Sequence, residues 1–453
     1  MTGSGAVIID GCYVACADEA GREFPAGHVV AQDGRIAAVG AGPADPGRWP
    51  GALRINGTGL LVTPGLVNTH HHLYQWITRG YATDATLFGW LTALYPVWAR
   101  LTPELLSDAA AANLAWMALT GCTTTMDHHY VFPRGSGDLL ATEIEAARRI
   151  GLRFHATRGS MNLGQSQDGL PPDSLVESHD GILAACQDAV GRWHDPAPDA
   201  MTRIALAPCS PFSVTGELMR DCAALARELG VRLHTHLAET SDEESYCQER
   251  HGMTPVEYAE SLGWLGPDVW LAHCVHLSSP AVRRIASTGT GVAHCPTSNG
   301  RLGSGTAPVR ALLDAGAVVG LGVDGSASNE SGRMIDELHQ ALLAARVLAQ
   351  GPSVSARECL AMATLGGARC LGRAAELGSL ETGKLADLAV WRVDHLAGAG
   401  IADPVVTLVF GAPELEHLFV GGRPVVRGGE LTTADPAALA VGAALASAVI
   451  AAG

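Results

Sequence analysis

The sequence predicts an α/β protein: a (β/α)8 TIM barrel with a small β-sandwich domain formed from both chain ends. Three observations support this fold. Eight short apolar segments alternate with longer helical stretches through residues 63–372. The two flanks, residues 1–62 and 373–453, contain short strands of period two separated by Gly and Asp-Gly turns. No Gly-rich phosphate loop follows the first barrel segment, which argues against an open doubly wound sheet.

Length and composition fit one large barrel with a smaller companion domain. The 453 residues are 47% apolar and only 17% charged, which is typical of a globular chain with a sizeable core. The 54 glycines and 24 prolines suit a fold with many tight turns. The formal charge of −16 argues against nucleic acid as a partner, because phosphate binding needs a basic surface.

Cysteine usage and the chain ends indicate the compartment. Eleven cysteines are scattered without a CxxC pair, which favours reduced thiols in a cytoplasmic protein. The segment MTGSGAVIIDG has neither a basic region nor a long apolar stretch, so we expect no signal peptide. Residues 436–453 are uncharged but mostly Ala and Gly, which predicts a docked surface helix and no membrane span. We also expect a homo-oligomer.

The flanking strands come first and last along the chain. Neither flank is long enough for a complete sandwich, so we expect the two ends to pair across the inserted barrel. The segments that predict these strands are residues 6–16, 27–40, 52–65, 383–393 and 408–429.

The barrel elements lie between the flanks. Helical stretches are predicted at residues 103–120 and 216–230, among others. The eight candidate strands are residues 60–70, 121–128, 151–159, 203–208, 231–239, 269–274, 289–296 and 317–325.

Histidine and aspartate residues cluster where these strands end. Barrel active sites lie at the carboxyl ends of the strands. Residues two apart on a strand point the same way, so His70 and His72 can both face the barrel mouth. The fifth strand ends near His236, the sixth at His273 and the eighth at Asp324.

The residues at the ends of the first, fifth and eighth strands predict a metal centre. His70, His72 and His236 with Asp324 form a plausible three-nitrogen, one-oxygen shell for Zn²⁺ or Fe²⁺, with a position left for water. A metal there lowers the pKa of bound water to about 7. Glu239, three residues beyond His236, could shuttle a proton. Each histidine alone would more often be a buried core residue, and His234 is expected to be structural, one layer deeper.

Several segments resemble the amidohydrolase superfamily, in the branch of deaminases and chlorohydrolases that act on heterocycles. They are PGLVNTHHH, LHTHLAET, AHCVHL, HCPTSN and GLGVDG. The resemblance implies that His70, His72, His236 and Asp324 bind the metal and that Glu239 protonates a ring nitrogen. It also implies that His273 orients the attacking water and that Asp324 takes its proton. The fourth strand segment, RIALAPCSP, lacks the lysine that bridges two ions in binuclear members, so one divalent metal per chain is expected.

Segments between the strands narrow the resemblance to the 8-oxoguanine deaminase group. They include LFGWLTALYPVWARLTPE and RGSMNLGQSQDGLPPDSLVE, which we assign to loops. The resemblance implies hydrolytic deamination of 8-oxoguanine to urate and ammonia. Cys209 stands where nucleoside-processing relatives carry His, and His129 stands where an apolar residue is expected. Gln75 and Arg158 are candidate ring contacts, although a surface ion pair is an equal possibility for Arg158.

Other functions stay open at this point. A related aminohydrolase acting on guanine, a pterin or a hydroxylated s-triazine would use the same ligand spacing. An inactive relative serving as a scaffold would usually have lost ligands, and here all are present. A cytidine-deaminase-type enzyme is excluded because the chain has no PCxxC motif.

Overall fold

A computed structural model describes residues 5–351 and 353–452 of the chain. The first four residues, part of the segment without a predicted signal peptide, lie outside the described residues, as does the last residue of the predicted C-terminal helix. Among the helices in these two ranges, none is long and apolar enough to cross a membrane.

The described strands fall into two sheets. The first sheet takes strands from both chain ends, and the second takes strands from the middle. In chain order the strands are β1 (Val7–Ala15), β2 (Glu23–Gln32), β3 (Arg35–Ala41), β4 (Leu53–Asn56), β5 (Leu60–Pro64), β6 (Leu66–Asn68), β7 (Cys122–Asp127), β8 (Arg153–Ser160), β9 (Thr202–Pro208), β10 (Arg232–Leu237), β11 (Val269–His273), β12 (Gly291–His294), β13 (Val318–Leu321), β14 (Leu388–Arg392), β15 (Glu414–Val420), β16 (Arg423–Arg427) and β17 (Glu430–Leu431).

Strands β6 to β13 form the barrel. They are parallel and pair in sequential order from β6 to β13. Contacts between the first and last strands bring the two edges together. The Thr69 amide donates to the Leu321 carbonyl over 3.0 Å, and the Asp324 amide donates to the His70 carbonyl over 3.0 Å. All eight strands therefore present their carboxyl ends at one rim, as the predicted fold class requires.

The terminal strands form a mostly antiparallel sheet of nine strands. Its order is β17-β16-β15-β14-β5-β1-β2-β3, with β4 paired to β1. The two chain ends meet where β5 pairs antiparallel with β14, with Val62 opposite Val390. The predicted fold class, a barrel plus a sheet domain from both ends, is confirmed.

The chain passes from the terminal sheet into the barrel at Gly65. A Cβ atom at this position would lie 2.1 Å from Thr123 Cγ2, so only glycine fits between β5 and β6. The Gly65 amide donates to the Asp387 carbonyl, which ties the junction to the C-terminal strands. The predicted boundaries at 62/63 and 372/373 lie close to this junction and to the end of the last barrel helix.

Helices cover the outside of the barrel, and their first turns carry regular caps. Thr102, Thr215 and Ser278 each accept a backbone N–H from the first turn of the helix that follows. The helices are α1 (Leu87–Trp98), α2 (Pro103–Leu119), α3 (Leu139–Ile150), α4 (His179–Trp193), α5 (Gly216–Leu229), α6 (Ser241–His251), α7 (Pro255–Ser261), α8 (Ser279–Thr288), α9 (Pro296–Arg301), α10 (Val309–Asp314), α11 (Met334–Ala349), α12 (Ala356–Ala361), α13 (Gly367–Cys370), α14 (Pro404–Phe410) and α15 (Pro436–Ala452).

The helices predicted at residues 103–120 and 216–230 are confirmed as α2 and α5. The segment beginning at Leu87 was assigned to a loop, and this was wrong, because residues 87–98 form α1. Its apolar residues occur on nearly every face and Pro96 lies inside the helix, so the sequence has no clear helical period. Helix α15 packs mainly against α2, as a docked C-terminal helix should.

A buried ion pair joins the terminal sheet to the end of the barrel opposite the rim. The Arg153 guanidinium donates to both carboxylate oxygens of Asp387, over 2.7 and 3.1 Å. It also donates to the carbonyl of Asp199 over 2.7 Å. Both side chains of the ion pair are nearly inaccessible to water, at 2% and 3% exposure. Arg153 therefore depends on Asp387 to compensate its charge.

We expect Asp387→Ala to lower the free energy of unfolding by about 3–5 kcal/mol, since it leaves a buried guanidinium unpaired. The midpoint of urea unfolding measures the loss. Glu145→Ala is the control: it removes an exposed ion pair with Arg148 and should cost no more than about 1 kcal/mol. Equal losses for the two variants would contradict this assignment.

Candidate metal centre and active-site cavity

Three histidine side chains meet at the barrel rim. His70 and His72 follow β6, and His236 lies near the end of β10. Nε2 of His72 lies 3.2 Å from Nε2 of His236. All three rings are almost fully buried, and burial lowers the pKa of His70 and His236 well below the usual value. Neutral imidazoles are therefore expected at His70 and His236, each with one nitrogen able to bind a cation.

The other ring nitrogen of each histidine is held by a hydrogen bond, and this determines the tautomer. Nδ1 of His72 lies 2.8 Å from the His128 carbonyl, and Nδ1 of His236 lies 2.7 Å from the Cys209 carbonyl. A carbonyl can only accept, so both Nδ1 atoms carry the proton. In the neutral form of each ring, Nε2 is then the unprotonated acceptor.

A second histidine fixes the tautomer of His70. Nδ1 of His234 lies 2.8 Å from the Trp270 carbonyl and must donate to it, which leaves Nε2 of His234 as an acceptor. Nδ1 of His70 lies 2.8 Å from that Nε2 and therefore donates. Nε2 of His70 is left unprotonated, buried and without a hydrogen-bond partner among the described residues. His234 lies deeper than the rim, as expected, but it also orients a predicted metal ligand.

Asp324 completes the set from the eighth strand. Its Oδ1 lies 3.3 Å from Nε2 of His70 and 3.3 Å from Nε2 of His72. Asp324 adopts a left-handed backbone with φ 63°, which is uncommon for a residue with a side chain. Its carbonyl accepts a hydrogen bond from Nδ1 of His71 over 2.6 Å, so His71 points away from the cluster.

The donor set fits a divalent cation. Three of the contacts among these four atoms measure 3.2 to 3.3 Å, and the neutral tautomers place no proton between them. Two ligands at zinc–nitrogen distances in a tetrahedral arrangement lie about 3.3 Å apart. Such an arrangement of lone pairs is unfavourable without a positive charge at its centre. The residues therefore suit one cation bound by His70, His72, His236 and Asp324.

Glu239 and His273 stand beside this set. Nε2 of His273 lies 3.6 Å from Oε2 of Glu239 and 3.9 Å from Oδ2 of Asp324. Nδ1 of His273 is 2.9 Å from Oδ1 of Asn299, which orients the ring. Burial, together with the negative charges of Asp324 and Glu243, raises the pKa of Glu239 well above its usual value. A carboxyl group in this environment is suited to proton transfer.

Three supporting residues were not predicted from the sequence. Glu243 accepts the backbone N–H groups of Ala238 and Glu239 over 2.8 and 2.9 Å, which fixes the turn that carries Glu239. Ser298 donates to Oδ2 of Asp324, and Asn299 holds His273. The Thr-x-x-Glu pattern ending at Glu243 and the HCPTSN motif were the available signals.

A cavity opens onto the rim residues. No Lys or Arg is among its lining residues in the described chain. Helix α1 supplies much of one wall. The apolar and aromatic lining residues are Leu87, Trp90, Leu91, Tyr95, Tyr130, Phe212 and Leu302.

Two predicted ring contacts are in different positions relative to the cavity. Gln75 lines it: Oε1 accepts the Ala327 amide over 3.3 Å, and Nε2 has no partner among the described residues. Arg158 does not line the cavity. Its guanidinium pairs with Glu177, 3.1 Å from Oε2, and lies over the Phe132 ring at 3.7 Å. The structure thus brings Gln75 to the cavity with the predicted ligands, Glu239 and His273, and leaves Arg158 outside it.

Comparisons with known proteins give one consistent family. The model of the Amidohydrolase family matches residues 61–425. The chain is 46% identical over 417 residues to 8-oxoguanine deaminase of Pseudomonas aeruginosa, covering 91% of this chain and 92% of the relative. It is 39% identical to isoxanthopterin deaminase of an unknown prokaryotic organism, over 83% of both chains. The crystal structure of atrazine chlorohydrolase from Arthrobacter aurescens with zinc superimposes with a TM-score of 0.91 at 34% identity, covering 97% and 100% of the chains.

We expect Glu239→Gln to retain the metal and to lower kcat by about 10²–10⁴-fold, because the amide cannot transfer a proton. Steady-state ammonia release and elemental analysis of the same preparation measure the two properties. Glu249→Gln, an exposed change on α6, is the control and should leave both unchanged. A variant at position 239 with wild-type kcat would remove Glu239 from the proposed proton path.

Proposed function

This chain belongs to the amidohydrolase family as a metal-dependent hydrolase, and we propose that it deaminates 8-oxoguanine to urate and ammonia. The observation that carries the proposal is the 46% identity to an 8-oxoguanine deaminase over 91% of this chain. The family model spans residues 61–425, which include the segments that form the cavity as well as the rim. In barrel enzymes these connecting segments determine substrate preference.

The cavity supports a small neutral heterocycle as substrate. Its walls are largely aromatic and aliphatic, and no cationic side chain is present among the described lining residues to bind a carboxylate or a phosphate. These features favour a free base over a phosphorylated or acidic compound.

We infer that His70, His72, His236 and Asp324 hold one divalent cation per chain, with zinc favoured and iron as the alternative. A divalent cation in such a shell supplies Lewis-acid chemistry and lowers the pKa of water in contact with it to about 7. The zinc complex of the atrazine chlorohydrolase supports this choice. The chain's own residues then have to orient the ring and move protons.

Proton transfer falls to Glu239, Asp324 and His273. As a C–O bond forms at the carbon that bears the amine, Glu239 donates a proton to the adjacent ring nitrogen. Asp324 accepts the proton of the attacking water, and the neutral His273 beside it orients that water. Asp324 then returns the proton to the amine, the C–N bond breaks and ammonia leaves. As the C=O bond forms, the remaining proton of the added water passes to Glu239, which restores its protonated form. Glu239, Asp324 and His273 all line the cavity, so each can reach the reacting atoms of a bound ring.

Gln75 and Tyr95 are the proposed ring contacts. The Gln75 Nε2 atom and the Tyr95 hydroxyl are buried and have no hydrogen-bond partner among the described residues, and both side chains line the cavity. Unpaired polar atoms in an otherwise apolar wall are suited to fix the orientation of a polar ring edge. Arg158, paired with Glu177, is not retained as a contact.

A pterin or an s-triazine is the second candidate substrate class. The 39% identity to isoxanthopterin deaminase and the superposition with atrazine chlorohydrolase favour it. Guanine also remains in this class of aminoheterocycles.

A cytoplasmic location and a homo-oligomeric state stay predictions, and eleven buried free cysteines support a reducing compartment.

We expect kcat/KM for 8-oxoguanine to exceed that for guanine by about 10- to 100-fold. A site with polar atoms placed for the 8-oxo edge leaves them unpaired with guanine, at about 1–3 kcal/mol. Ammonia release from 8-oxoguanine, guanine, isoxanthopterin and a hydroxylated s-triazine, compared side by side, tests this. If guanine reacts equally well, the 8-oxo preference is wrong and the aminohydrolase assignment survives.

Elemental analysis is expected to give one divalent metal per chain, because the candidate ligand groups at the rim all share His70 and β9 carries no bridging lysine. The metal content of the His236→Ala variant should fall well below one ion per chain. His179→Ala, which removes a partly exposed histidine on α4, is the control and should retain the metal. Two tightly bound metals, both required for activity, would contradict the mononuclear assignment.

A further inference from the structure

A second buried group of metal-ligand side chains lies behind the metal centre. It consists of Asp127 at the end of β7, His129 two residues later and Glu143 on α3. One potential ligand atom from each lies within 4.8 Å of the others, and all three side chains are fully buried. None of the three lines the cavity at the rim.

The spacing of its atoms distinguishes this cluster from the rim. Acceptor atoms at the rim lie 3.2–3.3 Å apart, which suits ligands that share a cation. Nδ1 of His129 and Oε1 of Glu143 lie only 2.8 Å apart, which is a hydrogen-bond distance. Nε2 of His129 lies 2.8 Å from the Val131 carbonyl and must donate to it. One proton therefore occupies the contact between His129 and Glu143.

The surroundings of Glu143 favour the protonated form of its carboxyl group. Burial raises the pKa of Glu143 well above its usual value. Its second oxygen and Oδ2 of Asp127 have no other partner among the described residues. An ionised and unpaired carboxylate at this depth would be costly, which favours a hydrogen-bonded and protonated arrangement.

The cluster holds the backbone around one predicted metal ligand. Oδ1 of Asp127 accepts the amide of Leu73, the residue that follows His72. The His128 carbonyl, between Asp127 and His129 in the chain, accepts from Nδ1 of His72 over 2.8 Å. Residues 127–128 thus hold the His72 segment at two points. Glu143 anchors the next residue, His129, from a separate helix.

We propose that Glu143 is a positioning residue that acts through a shared proton with His129 to orient His72 toward the cation, and that this cluster binds no second metal. The inference rests on the metal centre of the proposed function. Partners that orient metal-bound histidines typically contribute about 10- to 100-fold to metal affinity or activity.

Two substitutions at position 143 separate the hydrogen bond from the volume of the side chain. Glu143→Met keeps the length and removes the hydrogen bond, and we expect metal affinity to fall by about 10- to 100-fold. Glu143→Gln can still donate to Nδ1 of His129, so its affinity should stay close to wild type. Competition with a metal chelator measures affinity, elemental analysis gives stoichiometry, and the melting temperature of metal-free protein reports folding.

Asp387→Asn is the matched control, since it alters a buried carboxylate at the opposite end of the barrel. It should lower the melting temperature and leave metal affinity unchanged. If Glu143→Met does not fold, His129→Leu removes the same hydrogen bond from the other side, with the same expected loss of affinity.

Four results would overturn the inference. Wild-type affinity in the Met variant, or equal losses in the Met and Gln variants, would exclude positioning through a donated proton. A wild-type protein with two metals, one of which is lost in the Gln variant, would make the cluster a metal site. A wild-type protein without any tightly bound metal would overturn the metal centre itself and this inference with it.

Discussion

The mutual repulsion of four acceptor atoms at the barrel rim is the constraint on which the rest of the structure depends. Oδ1 of Asp324 lies 3.3 Å from Nε2 of His70 and of His72, and Nε2 of His72 lies 3.2 Å from Nε2 of His236, all largely away from water. Such close contact between acceptor atoms is unfavourable unless a cation lies between them. The protein must therefore hold these atoms together against their own repulsion. A cation that binds only this folded arrangement stabilises it by mass action. Metal binding and rigidity at the rim are therefore coupled.

The barrel supplies this rigidity by placing a separate anchor behind each group. The His128 and Cys209 carbonyls and the His234 ring each fix one imidazole. Asp324 and His273 lie in left-handed backbone, with φ of 63° and 69°. Such conformations cost of order 1–3 kcal/mol each and persist only where neighbouring contacts determine them. The strand-end hydrogen bonds of the barrel provide these contacts, which is why strained residues occur at this rim.

The sequence contained enough to predict the rim but not what surrounds it. His70, His72, His236 and Asp324 could be assembled because parallel strands in a barrel end on one side, so order along the chain determines proximity. The helical state of α1 could not be read from a segment that is apolar on nearly every face and contains Pro96. Arg158 ends a barrel strand like the ligands, yet its side chain turns to Glu177, nineteen residues later. His129 was recognised as unusual, but its partner Glu143 lies on α3. Contacts of this kind depend on packing between elements, which local pattern does not encode.

Chemistry and specificity reside in different parts of this site. In the proposed reaction, the rim residues would act on any ring whose amine-bearing carbon reaches them, so they would not distinguish a purine from a pterin. The described lining of the cavity includes no cationic side chain, so neutral heterocycles must be distinguished through shape and a few polar atoms. Each such atom left unpaired by the wrong ring costs about 1–3 kcal/mol, or about one to two decades in rate. Two or three contacts on the wall formed by α1 are then sufficient to separate related substrates while the metal centre stays unchanged. We therefore expect substitutions in α1 and around Gln75 to change which aminoheterocycle is preferred in the proposed reaction.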